Sequence, residues 1–163
     1  MARIIILFAV FIVLHLDAVA QGTSALKQGK NWISVLESTA QRILPGRRES
    51  GISTNYHFIV IWKEKASPAS FFWRGQNGWL SCNIQKVHKA KQGAMYTPDA
   101  AGLTASIHKG DTLELIPVTG GRFPVPAQIP DSAVNTLFFK TTNTGWHYYA
   151  FKKLTQKPDI IMP

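Results

Sequence analysis

A mainly β architecture is expected from this chain: an antiparallel β-sandwich or flattened barrel of about 6–8 strands with one short N-terminal amphipathic helix. From Asn55 onward, short runs rich in Phe, Trp, Tyr, Ile and Val alternate with Gly, Pro, Asn and Lys clusters. Between two of these runs stands Gly75-Gln76-Asn77-Gly78, and Asn-Gly flanked by aromatic runs is a strong hairpin signal. In Trp79 to Val87, Leu80, Cys82 and Ile84 alternate with Ser81, Asn83 and Gln85, the period-two pattern of a half-buried strand.

The elements follow in order. Residues 1–20 read as a removed signal peptide: Arg3 supplies the positive start, Ile4 to Leu14 the apolar run, and Ala18-Val19-Ala20 the small-x-small cleavage site. That run falls short of the ~20 apolar residues a membrane span needs. Residues 21–50 comprise a polar lead, the helix and a linker, and 51–163 the β-domain, which forms one globular unit with the helix. The helix rests on Ile33, Leu36, Ala40 and Ile43 at helical spacing, with Pro45-Gly46 as the stop. The clearest strands are Tyr56 to Lys63, Ser70 to Arg74, Trp79 to Val87, Thr112 to Val118, Thr136 to Thr141 and Trp146 to Leu154. Ala94 to Thr97 and Leu103 to Ile107 are weaker. Tyr56 to Lys63 is apolar on both faces and reads as a central strand, the helix supplying one cover. Arg122 to Pro130 carries three prolines and reads as an extended loop between sheets.

Composition narrows the function classes. The 163 residues include 18 Lys+Arg against 9 Asp+Glu, a formal net charge of +9, and a single cysteine. Cleavage after Ala20 removes Arg3 and Asp17 and leaves the charge at +9. A chain of this size buries about 68% of its unfolded surface, enough for one core without staples. With Cys82 alone, no intrachain disulfide forms. No Asn-x-Ser/Thr sequon occurs. These features favour a soluble exported protein, periplasmic or secreted, of bacterial origin.

Two surfaces are candidates for binding. Phe71, Phe72, Trp73 and Arg74 lead into the hairpin and Trp79 leaves it, while Trp146, His147, Tyr148 and Tyr149 form a second aromatic patch. Indole faces stack on sugar rings, and Arg74 opposite Trp79 suits a cation-π pair. The expected ligand-binding residues are therefore Trp73, Arg74, Trp79 and Trp146, set against the plain alternative that the aromatics fill a core. The second surface is basic: Lys86, His88, Lys89 and Lys91 in one cluster, Lys152, Lys153 and Lys157 in another. Such clusters attract acidic partners, or simply form a solvated face. Export points to a glycan or an anionic envelope polymer rather than nucleic acid.

Other chemistries find less support. Cys82, His88 and Met95, with His57 remote, resemble in residue type the copper ligands of cupredoxins. In that family the cysteine, second histidine and methionine crowd one short loop near the chain end. Here Cys82 stands in mid-strand, as a buried apolar cysteine does, so no metal and no cofactor is expected. After cleavage eight acids remain, none in a recognisable catalytic pair, and there is no Gly-x-Ser-x-Gly elbow, zinc helix or phosphate-binding glycine loop. Enzymatic activity is not suggested, although a triad assembled in space leaves no trace in sequence order. A helix joined to a basic, aromatic sandwich is similar in layout and charge to actinoporin-type membrane toxins. That resemblance implies interfacial insertion of Trp32, Ile33, Val35, Leu36, Ile43 and Leu44, against which stands packing of the same face on the sandwich. The expectation is a non-enzymatic binding module, with a structural or protein-interaction subunit of an envelope assembly as the alternative.

Overall fold

Eleven strands join in one hydrogen-bonded sheet in a computed structural model that describes residues 26–46, 51–90, 96–99, 106–118, 133–141 and 145–162. They are β1 (Lys27–Gln28), β2 (Ile33–Leu44), β3 (Ser53–Trp62), β4 (Pro68–Gly75), β5 (Gly78–Lys89), β6 (Tyr96–Pro98), β7 (Thr112–Val118), β8 (Thr136–Thr141), β9 (Trp146–Ala150), β10 (Thr155–Gln156) and β11 (Ile160–Ile161). The order across the sheet is β1-β9-β8-β4-β5-β7-β3-β2-β10, with β11 also on β2 and β6 on β5. The long strands pair antiparallel, whereas β1, β10 and β11 add to the sheet in parallel.

The mainly β expectation holds, and the helix does not. Ile33–Leu44 is a twelve-residue strand paired antiparallel with β3, from Ile33↔Trp62 to Ile43↔Ser53. A register shift between Val35 and Glu37 marks a bulge at Leu36, which is 46% exposed. One extra residue shifts the side-chain alternation. Ile33 and Val35 face the core before the bulge and Ala40 faces it afterwards, a spacing that imitates a helical stripe. No helix occurs among the described residues. The signal peptide, residues 21–25 of the polar lead, the linker core at 47–50, the Arg122 to Pro130 loop, Met95 and most of Leu103 to Ile107 lie outside the described residues.

The single sheet curls into an open half-barrel. β3 and β4 are separated by β7 and β5 in the sheet, yet Phe58 lies 4.7 Å from Trp73 and Trp62 lies 6.0 Å from Phe71 between ring centroids. Such contacts require the concave face to close on itself. The core fills that face: Phe58, Val60 and Trp62 from β3, Phe71 and Trp73 from β4, Leu113 and Leu115 from β7, Leu137 and Phe139 from β8. Cys82 joins them, with Leu80 and Ile84 packed alongside, as the alternation in β5 requires. Ile59 on the other face of β3 is also fully buried, so β3 is covered on both sides at that point, without the expected helix.

Two chain segments cross the opening between β9 and β2. At one end Gly29 N–H donates to Tyr148 O (2.7 Å), Trp32 N–H donates to Gly29 O (3.0 Å), and the Trp32 ring lies tilted 4.0 Å from the His147 ring. At the other, Phe151 packs against Phe58 and Trp73, Leu154 is buried, and β10 and β11 run along β2. The added strands occupy the β2 edge, whose open donors and acceptors otherwise invite pairing with another chain.

Candidate functional site

The β4–β5 hairpin closes where the sequence indicates, with Gly75↔Gly78 as its last pair and Gln76-Asn77 as the loop. Gly78 takes φ +123°, a backbone that side chains disfavour, so the glycine rather than the asparagine relieves the turn. Gly75 serves a different need. A Cβ there would stand 2.8 Å from Trp73 Nε1 and 3.1 Å from the Tyr56 hydroxyl, closer than packed atoms tolerate.

Strand alternation divides the expected aromatic site. Trp73 pairs with Leu80 and Leu137, faces the concave side and is 0% exposed among Tyr56, Phe58 and Phe151. The expectation of an exposed indole at Trp73 is thus corrected: it is a core residue. Arg74 pairs with Trp79 on the convex side, its guanidinium 5.7 Å from the indole centroid. Trp146 shares that side through Lys140 and lies 5.4 Å from Phe72. Phe138, 4.9 Å from Trp79, and Tyr148 lie between them. Arg74, Trp79 and Trp146 are each half-buried. The convex face therefore carries three of the four expected residues together with Phe72, Phe138 and Tyr148, whose face emerges only from the strand pairing.

A cleft of about 570 Å³ opens at the hairpin end of the half-barrel, within the size range of ligand sites. Its walls come from distant parts of the chain. The paired positions Ala40↔Tyr56 and Arg42↔Thr54 form one side, the turn residues Gln76 and Asn135 another, and the crossing segment from Lys152 to Asp159 the third. Asn135 adopts φ +56° immediately before β8, a conformation asparagine tolerates better than most residues.

Charge in the cleft is one-sided. Arg42, Lys152, Lys153 and Lys157 line it, and Asp159 is the lone carboxylate among the described lining residues. Asp159 is held as a fork, with Arg42 Nε donating to Oδ1 at 3.1 Å and Nη2 to Oδ2 at 2.6 Å. The Asp159 hydrogen bond, then its charge, raises the Arg42 guanidinium above its ordinary value. Lys152, Lys153 and Lys157 are exposed and meet no acid among the described residues. Their clustering in sequence is visible beforehand, but Arg42, Tyr56 and Asn135 have no signal that places them beside it.

The other basic cluster is partly neutralised. Lys86 Nζ lies 2.7 Å from Asp111 Oδ2, and His88 Nδ1 lies 2.8 Å from Asp99 Oδ1, while Lys91 lies outside the described residues. Among the described copper-type residues, Cys82 and His88 do not converge. Cys82 is buried in the core, and His88, six residues on along β5 and about 20 Å away at strand rise, is largely exposed. Burial holds the Cys82 thiol well above its ordinary value, which leaves it protonated and unreactive. Among the described residues no group of three metal-binding side chains assembles, and no helix is long and apolar enough to cross a membrane. No family model matches the chain, and no curated protein or solved structure matches it.

Proposed function

We propose that the protein is an exported binding module that holds an anionic glycan in the basic cleft. The observation that carries this reading is the gathering of Arg42, Lys152, Lys153 and Lys157 around one 570 Å³ opening with a single opposing carboxylate. Free lysine ammoniums attract carboxylate or sulfate groups and rotate to suit their spacing. Asp159 on Arg42 shows the kind of partner that guanidinium takes, a planar carboxylate gripped through two parallel bonds. Tyr56, Gln76 and Asn135 add neutral hydrogen-bonding groups at the same opening, as the hydroxyls of a sugar chain require. The signal-like N-terminus, with Arg3 before the apolar run, supports export, and a net charge of +9 speeds encounter with acidic polymers.

A second reading has its own observation. Arg74 over Trp79, with Trp146 half-buried on the same face, suits a neutral sugar ring stacked on the convex side.

Titration of intrinsic tryptophan fluorescence with polygalacturonate and with a neutral oligosaccharide, at low and high salt, separates the two. The cleft reading expects saturable binding of polygalacturonate that weakens as salt shortens the screening length to about 8 Å and below. Binding of the neutral sugar that ignores salt would move the site to the convex face. Silence with both would overturn both and favour a protein partner.

A further inference from the structure

The far end of β5 holds chemistry that the cleft does not use. β6 pairs with it in the register Val87↔Pro98, His88↔Thr97 and Lys89↔Tyr96, about 33 Å along the strand from the hairpin tip at Gly78. This register sets Thr97 directly across from His88. Asp99 follows, its N–H donating to Lys86 O at 2.9 Å. Three side chains thereby fall into line: Thr97 Oγ1 is 2.8 Å from His88 Nε2, and His88 Nδ1 is 2.8 Å from Asp99 Oδ1.

In the tautomer that carries the proton on Nδ1, His88 donates to the Asp99 carboxylate and Nε2 keeps its lone pair for the Thr97 hydroxyl proton. A hydroxyl, a basic imidazole nitrogen and an orienting carboxylate in this sequence are the parts of an activated nucleophile. Thr97 is half-buried and β-branched, which limits its side-chain rotamers. Its alternative contact, to His88 O, is longer at 3.5 Å. The imidazole itself is 62% exposed and open to a reactant from solvent.

We propose that Thr97, His88 and Asp99 form a surface acyl-transfer site for esters with good leaving groups. Thr97 Oγ1 attacks the acyl carbonyl carbon while its proton passes to His88 Nε2. The bond from that carbon to the leaving oxygen breaks, and the leaving group either takes the proton from Nε2 or departs as its anion while Nε2 gives its proton to bulk water, so that Nε2 is free again. Water, giving a proton to Nε2, then attacks the Thr97 ester, releases the carboxylic acid and restores the hydroxyl. Ester and water become acid and alcohol, with no other reactant. Thr97 and His88 are the catalytic residues, and Asp99 is a positioning residue that holds the ring.

The test uses the full chain and p-nitrophenyl acetate, reading p-nitrophenolate release together with peptide mass spectrometry before and after hydroxylamine. The site predicts an acetyl group on Thr97 that hydroxylamine removes, as it does an ester. Release falls about tenfold or more in Thr97→Val and in His88→Gln, within the usual contribution of a general base, and persists in Thr97→Ser. Asp99→Asn slows release and Asp99→Glu restores part of it, whereas loss of a merely structural contact would leave the rate unmoved. Thr97→Val keeps the side-chain volume on a partly exposed hairpin, and circular dichroism confirms that each variant is folded. Acetylation confined to hydroxylamine-stable lysine amides, or unchanged release from Thr97→Val with His88 reacting alone, would overturn the proposal.

Discussion

Trp73 and Trp79 are the same residue type on neighbouring strands, yet they face opposite sides of the sheet. Trp73 is fully buried against three other rings, so Trp73→Ala should cost about 3–5 kcal/mol in urea unfolding. Trp79 is half-buried, touching Phe138 and Arg74; Trp79→Ala should cost only about 1–2 kcal/mol and leave a folded protein. Equal losses at both positions would contradict the division of faces. Gly75→Ala should cost about 1–3 kcal/mol through overpacking, because its Cβ meets the Trp73 indole nitrogen and the Tyr56 hydroxyl. The residue types of a binding surface are visible in sequence at Trp73, Arg74, Trp79 and Trp146. Which of them face outward is decided by strand parity, and Phe71-Phe72-Trp73 offers two apolar faces with nothing local to choose between them.

Among the elements, β7 and β8 are legible to the residue as Thr112–Val118 and Thr136–Thr141, because short strands bounded by turn residues carry their own limits. β2 is not legible, since its bulge breaks the two-residue period and its partner β3 lies across a loop. Long-range pairing then overrides the helical spacing. The bulge yields a paired test. Leu36→Lys should change stability by less than about 0.5 kcal/mol, since the side chain points to solvent. Deleting Leu36 should leave β2 paired, because Val35↔Val60 and Glu37↔Ile59 then become consecutive pairs and Ile33, Val35 and Ala40 still face the core. If either variant unfolds, β2 is wrongly placed. The turn before β7 supplies a pH test. Burial works to raise the Asp111 carboxyl, but the Lys86 hydrogen bond, the His108 N–H (2.7 Å) and the Lys86 charge together hold it below its ordinary value. A depressed carboxyl contributes stability that is present above the unfolded value near pH 4 and lost as pH falls through the folded one. Asp111→Asn should therefore lower stability at neutral pH by a modest amount, and flatten its decline below about pH 4. An unchanged acid limb in urea unfolding at pH 2–5 would show that the ion pair is not formed.

Across the whole molecule, curling a single sheet brings Arg42, Tyr56, Asn135 and the segment from Lys152 to Asp159 to one opening, although no two of those stretches adjoin in sequence. That is why the charge of the cleft was half legible: three lysines cluster by themselves, while their placement beside Arg42 depends on β10 running along β2. The same curl buries Trp73 and sends Arg74 and Trp79 outside, leaving two chemically different faces for binding. Calorimetric titration of polygalacturonate into the wild-type protein, the Lys152→Glu/Lys153→Glu double variant and Trp79→Ala decides between them. The proposed cleft predicts that charge reversal abolishes binding and that Trp79→Ala leaves it within about twofold, because Trp79 faces the convex side and does not line the cleft. Binding kept by the double variant and lost with Trp79 would contradict it.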